Sequence, residues 1–335
     1  MRGEELPGQT ISSIYFGGGT PGVLSAAQLS SLVGLLRQTY PVDEDAEITI
    51  ETNPDDINKQ YAGELLKTGF NRISIGVQSF YDPDLELMRR HHNSDKAKEA
   101  VREVYEVGFR NISIDLIYGI PGLTAKRWKA HLEQAFSLPI SHLSAYHLTF
   151  EEGTVFDLWR KQGRIVPVTE EESLEQYHIL REAAGRHGFV HYEISNFARE
   201  GYFSRHNMIY WNREPYIGLG PSAHSFNGRE RRWNIRSLKK YMTAIGSGEI
   251  YYESEIPDER ERYHDYILTA LRTREGVDRR YIETTFGERI VKHFSRVSKE
   301  FTGSGRLVED RDFIRMTPES WFVSEYVMRE LFVNI

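Results

Sequence analysis

The first regular feature of the chain is an apolar strand that runs into a glycine-rich turn and then an amphipathic helix. Residues 11–16 fit the strand and residues 17–21, GGGTP, fit the turn. Ser25 and Gln28 have the spacing of a capping box, and leucine and valine then recur at helical intervals up to residue 36. The pattern predicts a strand, loop and helix unit.

This unit recurs along the chain. Residues 69–75, GFNRISI, resemble residues 108–114, GFRNISI, and Gly-Phe returns at 188–189. In each case a helix is predicted to end at glycine, where a left-handed backbone costs little, and a buried strand follows. Further strands are predicted at residues 47–51, 143–150 and 191–194. Alternating strands and helices favour a parallel (β/α) barrel, with an open doubly wound sheet as the alternative.

The character of the chain changes past about residue 226. An arginine-rich loop is predicted there, followed by helices from Pro257 onward. A hairpin is predicted over residues 307–316 and an apolar helix over residues 321–332. We therefore expect an α/β fold with two domains: a barrel-type domain over residues 1–245, and a small helical, winged-helix-like domain over residues 246–335 that acts as a structural cap.

Composition narrows the classes of function. Apolar residues make up 39% of the 335 residues, and no run approaches the ~18 needed to cross a bilayer, so we expect a cytoplasmic protein without a membrane span. The net charge of −7 is spread without a basic tail, which argues against a nucleic-acid partner. There is no cysteine, which excludes disulfides and thiolate-held metals from this polypeptide alone, whereas 12 histidines leave imidazole ligation available.

Polar residues cluster where the predicted strands end, which is where a (β/α) barrel places its active site. The candidates are Gly18, Gly19, Thr20, Glu51, Gln78, Arg90 and Asp115. Glycines let a ligand approach the backbone, and the Thr20 hydroxyl can bond a carboxylate. Arg90 can clamp a carboxylate, while Glu51 can accept ribose hydroxyls. Gln78 and Asp115 can receive a cationic amine or further hydroxyls. Taken singly, each has a structural alternative, such as a simple turn or an aspartate bonded to backbone donors.

Together, four sequence segments around these residues resemble a known family, the radical S-adenosylmethionine (SAM) proteins of the HemN/HemW type. This family comprises oxygen-independent coproporphyrinogen III oxidases and the related heme chaperones. The matching segments are residues 15–21 (YFGGGTP), 51–54 (ETNP), 74–80 (SIGVQSF) and 111–122 (NISIDLIYGIPG). The resemblance runs from about Ile11 to the C-terminus. It implies that the seven candidates contact SAM, and that Thr149 at the end of the next strand is a further contact.

The departure from the family lies at the front of the chain. Members open with a first barrel strand and a Cys-x-x-x-Cys-x-x-Cys loop that holds a [4Fe-4S] cluster, and neither is found here. The resemblance therefore implies a partial barrel without its first strand, and no radical generation by this chain as written. Truncation and degeneration are the two explanations, and the intact site residues favour truncation. An uncovered edge at residues 11–16 would also favour a homodimer.

A later segment separates the two branches of the family. Residues 206–211, HNMIYW, resemble the His-Asn-x-x-Tyr-Trp signature of the heme-chaperone branch. This implies His206 as a candidate heme-iron ligand, with Tyr210 and Trp211 against the porphyrin face. The alternatives are that the segment anchors a loop, or that His224 is the ligand. We therefore expect a heme-trafficking chaperone that binds SAM and passes heme to an acceptor protein. An oxidase of porphyrin biosynthesis, which is an oxidoreductase, is the alternative, and no catalytic residue is assigned.

Overall fold

The computed structural model describes residues 8–333, which divide into a compact unit of residues 10–205 and a second unit that begins at residue 206. A seven-stranded sheet forms the first unit. Its strands are β1 (Ile11–Phe16), β2 (Val42–Thr52), β3 (Arg72–Gln78), β4 (Asn111–Tyr118), β5 (His142–His147), β6 (Val190–Glu193) and β7 (Asn196–Ala198). The predicted fifth strand therefore ends at His147 rather than at residue 150.

The strand order identifies the sheet as a curled half-barrel. It runs β1-β2-β3-β4-β5-β7-β6, with β1 to β5 parallel and in chain order, and with β7 antiparallel to both β5 and β6. A doubly wound sheet would instead reverse its order at a switch point. The predicted partial parallel barrel is confirmed.

Helices connect the strands where the sequence pattern predicted them. They are α1 (Ala26–Thr39), α2 (Lys59–Lys67), α3 (Asp82–Leu87), α4 (Ser94–Glu106), α5 (Ala125–Phe136), α6 (Val155–Lys161) and α7 (Glu170–Arg186). The Ser25–Gln28 capping box at the start of α1 is present. Gly69 and Gly108 follow α2 and α4 with φ of +98° and +122°, which explains the glycine before each strand.

A buried polar network lies among the strands at one level of the sheet. Arg72 Nε lies 3.9 Å from Glu47 Oε2, and both side chains are almost fully buried. Ser204 Oγ and the Arg205 backbone N–H donate to the same carboxylate. Next to this pair, the His142 ring is hydrogen-bonded to Ser113 Oγ at 2.7 Å and to the Tyr192 hydroxyl at 2.8 Å. Burial lowers the pKa of His142 well below its usual value, so the ring is neutral.

The second unit contains two small antiparallel sheets and six helices within the described residues. Its elements are α8 (Arg205–Trp211), β8 (His224–Phe226), β9 (Arg231–Asn234), α9 (Leu238–Ser247), β10 (Tyr252–Glu255), α10 (Glu259–Ala270), β11 (Val277–Asp278), α11 (Arg279–Thr285), α12 (Glu288–Gly303), β12 (Leu307–Asp310), β13 (Phe313–Met316) and α13 (Ser324–Leu331). The sheets have the orders β10-β9-β8 and β11-β13-β12. From α10 to β13, the element order is that of a winged helix.

Two predictions for this unit need correction. The arginine-rich segment is a strand rather than a loop, because its backbone pairs with both β8 and β10, and the Arg231 guanidinium also forms ion pairs with Glu255 and Asp265. The predicted terminal helix is a short 3-10 turn, Ser320–Val323, followed by α13. The hairpin over residues 307–316 is confirmed. The predicted domain boundary between residues 245 and 246 stays a prediction.

Candidate functional site

The predicted site residues lie along the carboxyl ends of the parallel strands. The glycine-rich loop follows β1, Glu51 is the penultimate residue of β2, Gln78 ends β3, and Asp115 lies within β4. Thr149 is exposed and lies two residues beyond the end of β5. Parallel strands bring their carboxyl ends to one edge, so the fold collects residues that are up to about a hundred positions apart.

The glycine-rich loop is tied directly to β2. The Gly18 backbone N–H donates to Glu51 Oε2 at 3.2 Å, and the Tyr15 hydroxyl donates to Glu51 Oε1 at 2.6 Å. A Cβ on Gly17 would lie 2.5 Å from the Tyr15 ring, so any other residue here would force that ring to move. Gly18 and Gly19 have φ of +74° and +76° with open space where a side chain would be. The loop therefore presents bare backbone beside a fixed carboxylate.

Asp115 is the titratable group of this edge. Its carboxylate accepts from Ser74 Oγ at 3.3 Å and from the Ser144 hydroxyl. Burial raises the pKa of Asp115 to about 6, and the Ser144 hydrogen bond opposes that rise. The negative charge of Glu51 raises the pKa further, which indicates that the two carboxylates share one electrostatic environment.

Arg90 and Gln78 contribute the remaining polar groups on this side. Arg90 Nη1 donates to Asn53 Oδ1 at 3.4 Å, and the nearby charges of Asp115 and Asp55 favour its cationic form against the effect of burial, which lowers its pKa. Gln78 is buried and has a φ of +66°, a strained backbone for a residue with a side chain. Such strain is typical of residues held in position at a site.

Several residues of this edge were missed by the sequence prediction. Tyr15 holds Glu51, Ser74 and Ser144 hold Asp115, and Asn53 holds Arg90. The sequence did not single them out, because serine, asparagine and tyrosine are common residues whose role here depends on contacts between different strands and loops. Two predicted residues, Thr20 and Thr149, have no side-chain hydrogen bond to another predicted site residue in the described part of the chain. Thr20 precedes a 3-10 turn with its carbonyl accepting from the Val23 N–H, and Thr149 is exposed.

The segment that contains the candidate heme ligand lies in the second unit. Residues 206–211 fold as α8, and His206 and Tyr210 lie one turn apart on it. His206 Nε2 is 2.9 Å from the Tyr210 hydroxyl oxygen, with the two rings edge to face at 5.0 Å. The rival ligand, His224, is exposed on β8 with its ring 6.4 Å from that of Trp233. The two histidines therefore differ in their surroundings.

Comparison with known proteins decides the family. A model of the radical SAM superfamily matches residues 4–135, and a model of the HemN C-terminal domain matches residues 258–323. The chain is 33% identical over 309 residues to a Bacillus subtilis protein named heme chaperone HemW, covering 92% of this chain and 82% of that relative. The corresponding Synechocystis protein is 35% identical over 281 residues, covering 83% and 68%. The chain belongs to the HemN/HemW-type radical SAM family.

The fold of this HemN/HemW-type chain is also that of a solved structure. Coproporphyrinogen III oxidase (HemN) from Escherichia coli superimposes with a TM-score of 0.82 at 22% identity, covering 98% of this chain and 79% of that one. At this identity the likeness concerns the fold. Among residues 8–333, no helix combines the length and apolar character that crossing a membrane requires.

Proteins of the HemN/HemW type use two cofactors, SAM and a [4Fe-4S] cluster, and the residues of this chain fit only the first. The open backbone of Gly18 and Gly19, next to the Glu51 and Asp115 carboxylates, fits a ligand such as SAM that carries hydroxyls and a cationic amine. The thiolates that hold a [4Fe-4S] cluster do not occur among the 335 residues, and no cluster of three or more His, Asp or Glu side chains suited to a metal occurs between residues 8 and 333.

Proposed function

We propose that this chain is a heme-trafficking protein that binds heme through the α8 segment and SAM at the carboxyl edge of β1 to β4. The heme assignment rests on one observation. The half-buried His206 imidazole lies on α8 within hydrogen-bond distance of the Tyr210 hydroxyl. Neutral imidazole is a common axial ligand of heme iron. The relatives named heme chaperone HemW support the same proposal.

The SAM assignment rests on the chemistry of the strand ends. Glu51 is fixed by Tyr15 and Gly18, and can still accept hydrogen bonds from ribose hydroxyls through its remaining lone pairs. Asp115 in its ionised form would attract the amine of the ligand, and Arg90 would bind its carboxylate. In proteins of this family, SAM supplies radical chemistry when a cluster is also bound. The residues described here bind and orient the molecule.

The experiment that tests this function compares two tetrapyrroles. Purified protein is titrated anaerobically with heme and, separately, with coproporphyrinogen, and binding is followed by absorption and by fluorescence quenching. We expect saturable heme binding with one site per chain and a shifted Soret band. Tight binding of coproporphyrinogen without binding of heme would contradict the proposal and favour an oxidase-type substrate. Heme titrated into the same buffer without protein controls for aggregation of heme and its adsorption to the cuvette.

A further inference from the structure

The candidate heme ligand is already engaged in a side-chain hydrogen bond. His206 Nε2 and the Tyr210 hydroxyl lie 2.9 Å apart on consecutive turns of α8. That distance is typical of a well-formed hydrogen bond. The two rings also pack edge to face, at 85° and with their centroids 5.0 Å apart.

The position of Tyr210 is fixed by a second aromatic residue. The Tyr210 and Tyr216 rings pack edge to face with their centroids 4.7 Å apart, at 89°. Tyr216 is itself held by two backbone hydrogen bonds with Phe226, of 2.8 and 2.9 Å. Because Tyr216 is tied to β8, the Tyr210 ring has a defined place, although the side chain remains 39% exposed. Its hydroxyl is thus held against His206 before any ligand arrives.

His206 Nε2 cannot be hydrogen-bonded to the Tyr210 hydroxyl and coordinate heme iron at the same time. Iron coordination uses the lone pair of an unprotonated ring nitrogen, and a hydrogen bond to Tyr210 occupies either that lone pair or the proton on Nε2. We propose that the Tyr210 hydroxyl restrains His206, so that heme iron binds Nε2 only in exchange for the His206–Tyr210 hydrogen bond. This inference rests on the proposed function. Tyr210 is then a positioning residue that lowers heme affinity and eases release of the cargo.

The expected size of the effect follows from the cost of one hydrogen bond. A typical intramolecular hydrogen bond contributes an amount of stability that corresponds to about a 2- to 12-fold change in an equilibrium constant. Tyr210→Phe removes the hydroxyl and keeps the ring that packs on Tyr216. It should therefore tighten heme binding and slow heme dissociation by that factor, with the Soret maximum of the wild type retained.

The test measures heme affinity by Soret titration and heme dissociation by transfer to an excess of a high-affinity scavenger. Tyr216→Phe is the matched control, because it removes the neighbouring phenol hydroxyl, and it should change neither quantity by as much as Tyr210→Phe. A double-mutant cycle completes the design: in the His206→Ala background, Tyr210→Phe should lose its effect, which a purely structural role would preserve.

Two results would overturn the inference, and they are distinguishable. If His206→Ala alters the heme spectrum but Tyr210→Phe binds heme no more tightly than the wild type, the restraint is wrong and the ligand assignment stands. This would be the result if iron bound Nδ1. If His206→Ala leaves both the heme spectrum and the affinity unchanged, the restraint and the ligand assignment both fail.

Discussion

Asp115 links the electrostatics of the strand edge to a measurable pH dependence. With a pKa of about 6, its carboxyl is neutral in acid and ionised at neutral pH. In the proposed SAM site an ionised Asp115 attracts the amine of the ligand, so we expect the affinity for SAM to fall as the pH is lowered through 6. Calorimetric titrations between pH 5 and 8, a range of about one to two units around that pKa, measure this. Asp115→Asn should remove most of the dependence, and an unchanged pH profile would exclude Asp115 from the site.

The same shift has a consequence for stability. The Asp115 pKa is raised in the folded protein, so the unfolded chain loses its proton at lower pH than the folded one. Asp115 therefore stabilises the fold less as the pH rises from about 4, its ordinary pKa, to 6. Asp115→Asn should raise the thermal midpoint at pH 8 relative to wild type more than it does at pH 4. The opposite order would show that partners of the ionised carboxylate outweigh its burial.

Arg90 provides a separate test of SAM binding. Arg90→Ala should weaken SAM binding by about 1.5–3 kcal/mol, the usual contribution of a hydrogen bond to a charged group. Arg89→Ala is the matched control, because the Arg89 guanidinium lies over the Trp159 ring instead, 5.5 Å from its centroid. Calorimetry decides between them, and equal affinities for wild type and Arg90→Ala would remove Arg90 from the site.

Some residues of the candidate site could be predicted from their position in the sequence, and others only from their contacts in the folded chain. Glu51 and Asp115 could be located because they interrupt apolar strands at their carboxyl ends. Their supports could not, since Ser74, Ser144 and Asn53 are common residues that gain meaning only from contacts across strands. The His206–Tyr210 hydrogen bond was also missed, because a spacing of four residues allows a contact on a helix without specifying it.

Among the secondary structure elements, β2 and β3 are joined by the Glu47–Arg72 pair. Because Arg72 is buried, Glu47→Gln would remove the carboxylate paired with its guanidinium, which typically costs about 3–5 kcal/mol. The urea midpoint of the first unit, followed by circular dichroism, should fall markedly. Glu106→Gln, which breaks the exposed pair with Lys59, should leave that midpoint unchanged. Equal midpoints for wild type and Glu47→Gln would show that the buried pair contributes little.

The elements also show where hydrophobic patterns succeed and fail. Strands β1, β3 and β4 carry buried β-branched residues, and their positions followed from the sequence. Strand β9 did not, because it consists largely of charged and polar residues and its extended form depends on pairing with β8 and β10. A pattern read along one segment contains no information about such partners.

For the molecule as a whole, the strand order β1 to β5 and the winged-helix order after Pro257 agree with what the sequence predicted. Local repeats of strand and helix specify this topology because parallel neighbours need a crossover between them. The division after residue 205 falls at the first residue of α8, and no stretch rich in glycine or proline marks it in the sequence. In the proposed function, the residues that bind SAM lie in the first unit and α8 lies at the start of the second.

The most direct test of the account is the heme spectrum of His206→Ala beside that of His224→Ala. Because His206 lies on α8 and His224 on β8, the two substitutions remove one imidazole each from different elements. We expect His206→Ala to shift the Soret band and weaken heme binding, since loss of an axial ligand changes the coordination of the iron directly. His224→Ala should retain the wild-type spectrum. A normal spectrum for His206→Ala, with a perturbed one for His224→Ala, would contradict the assignment of the heme ligand to α8.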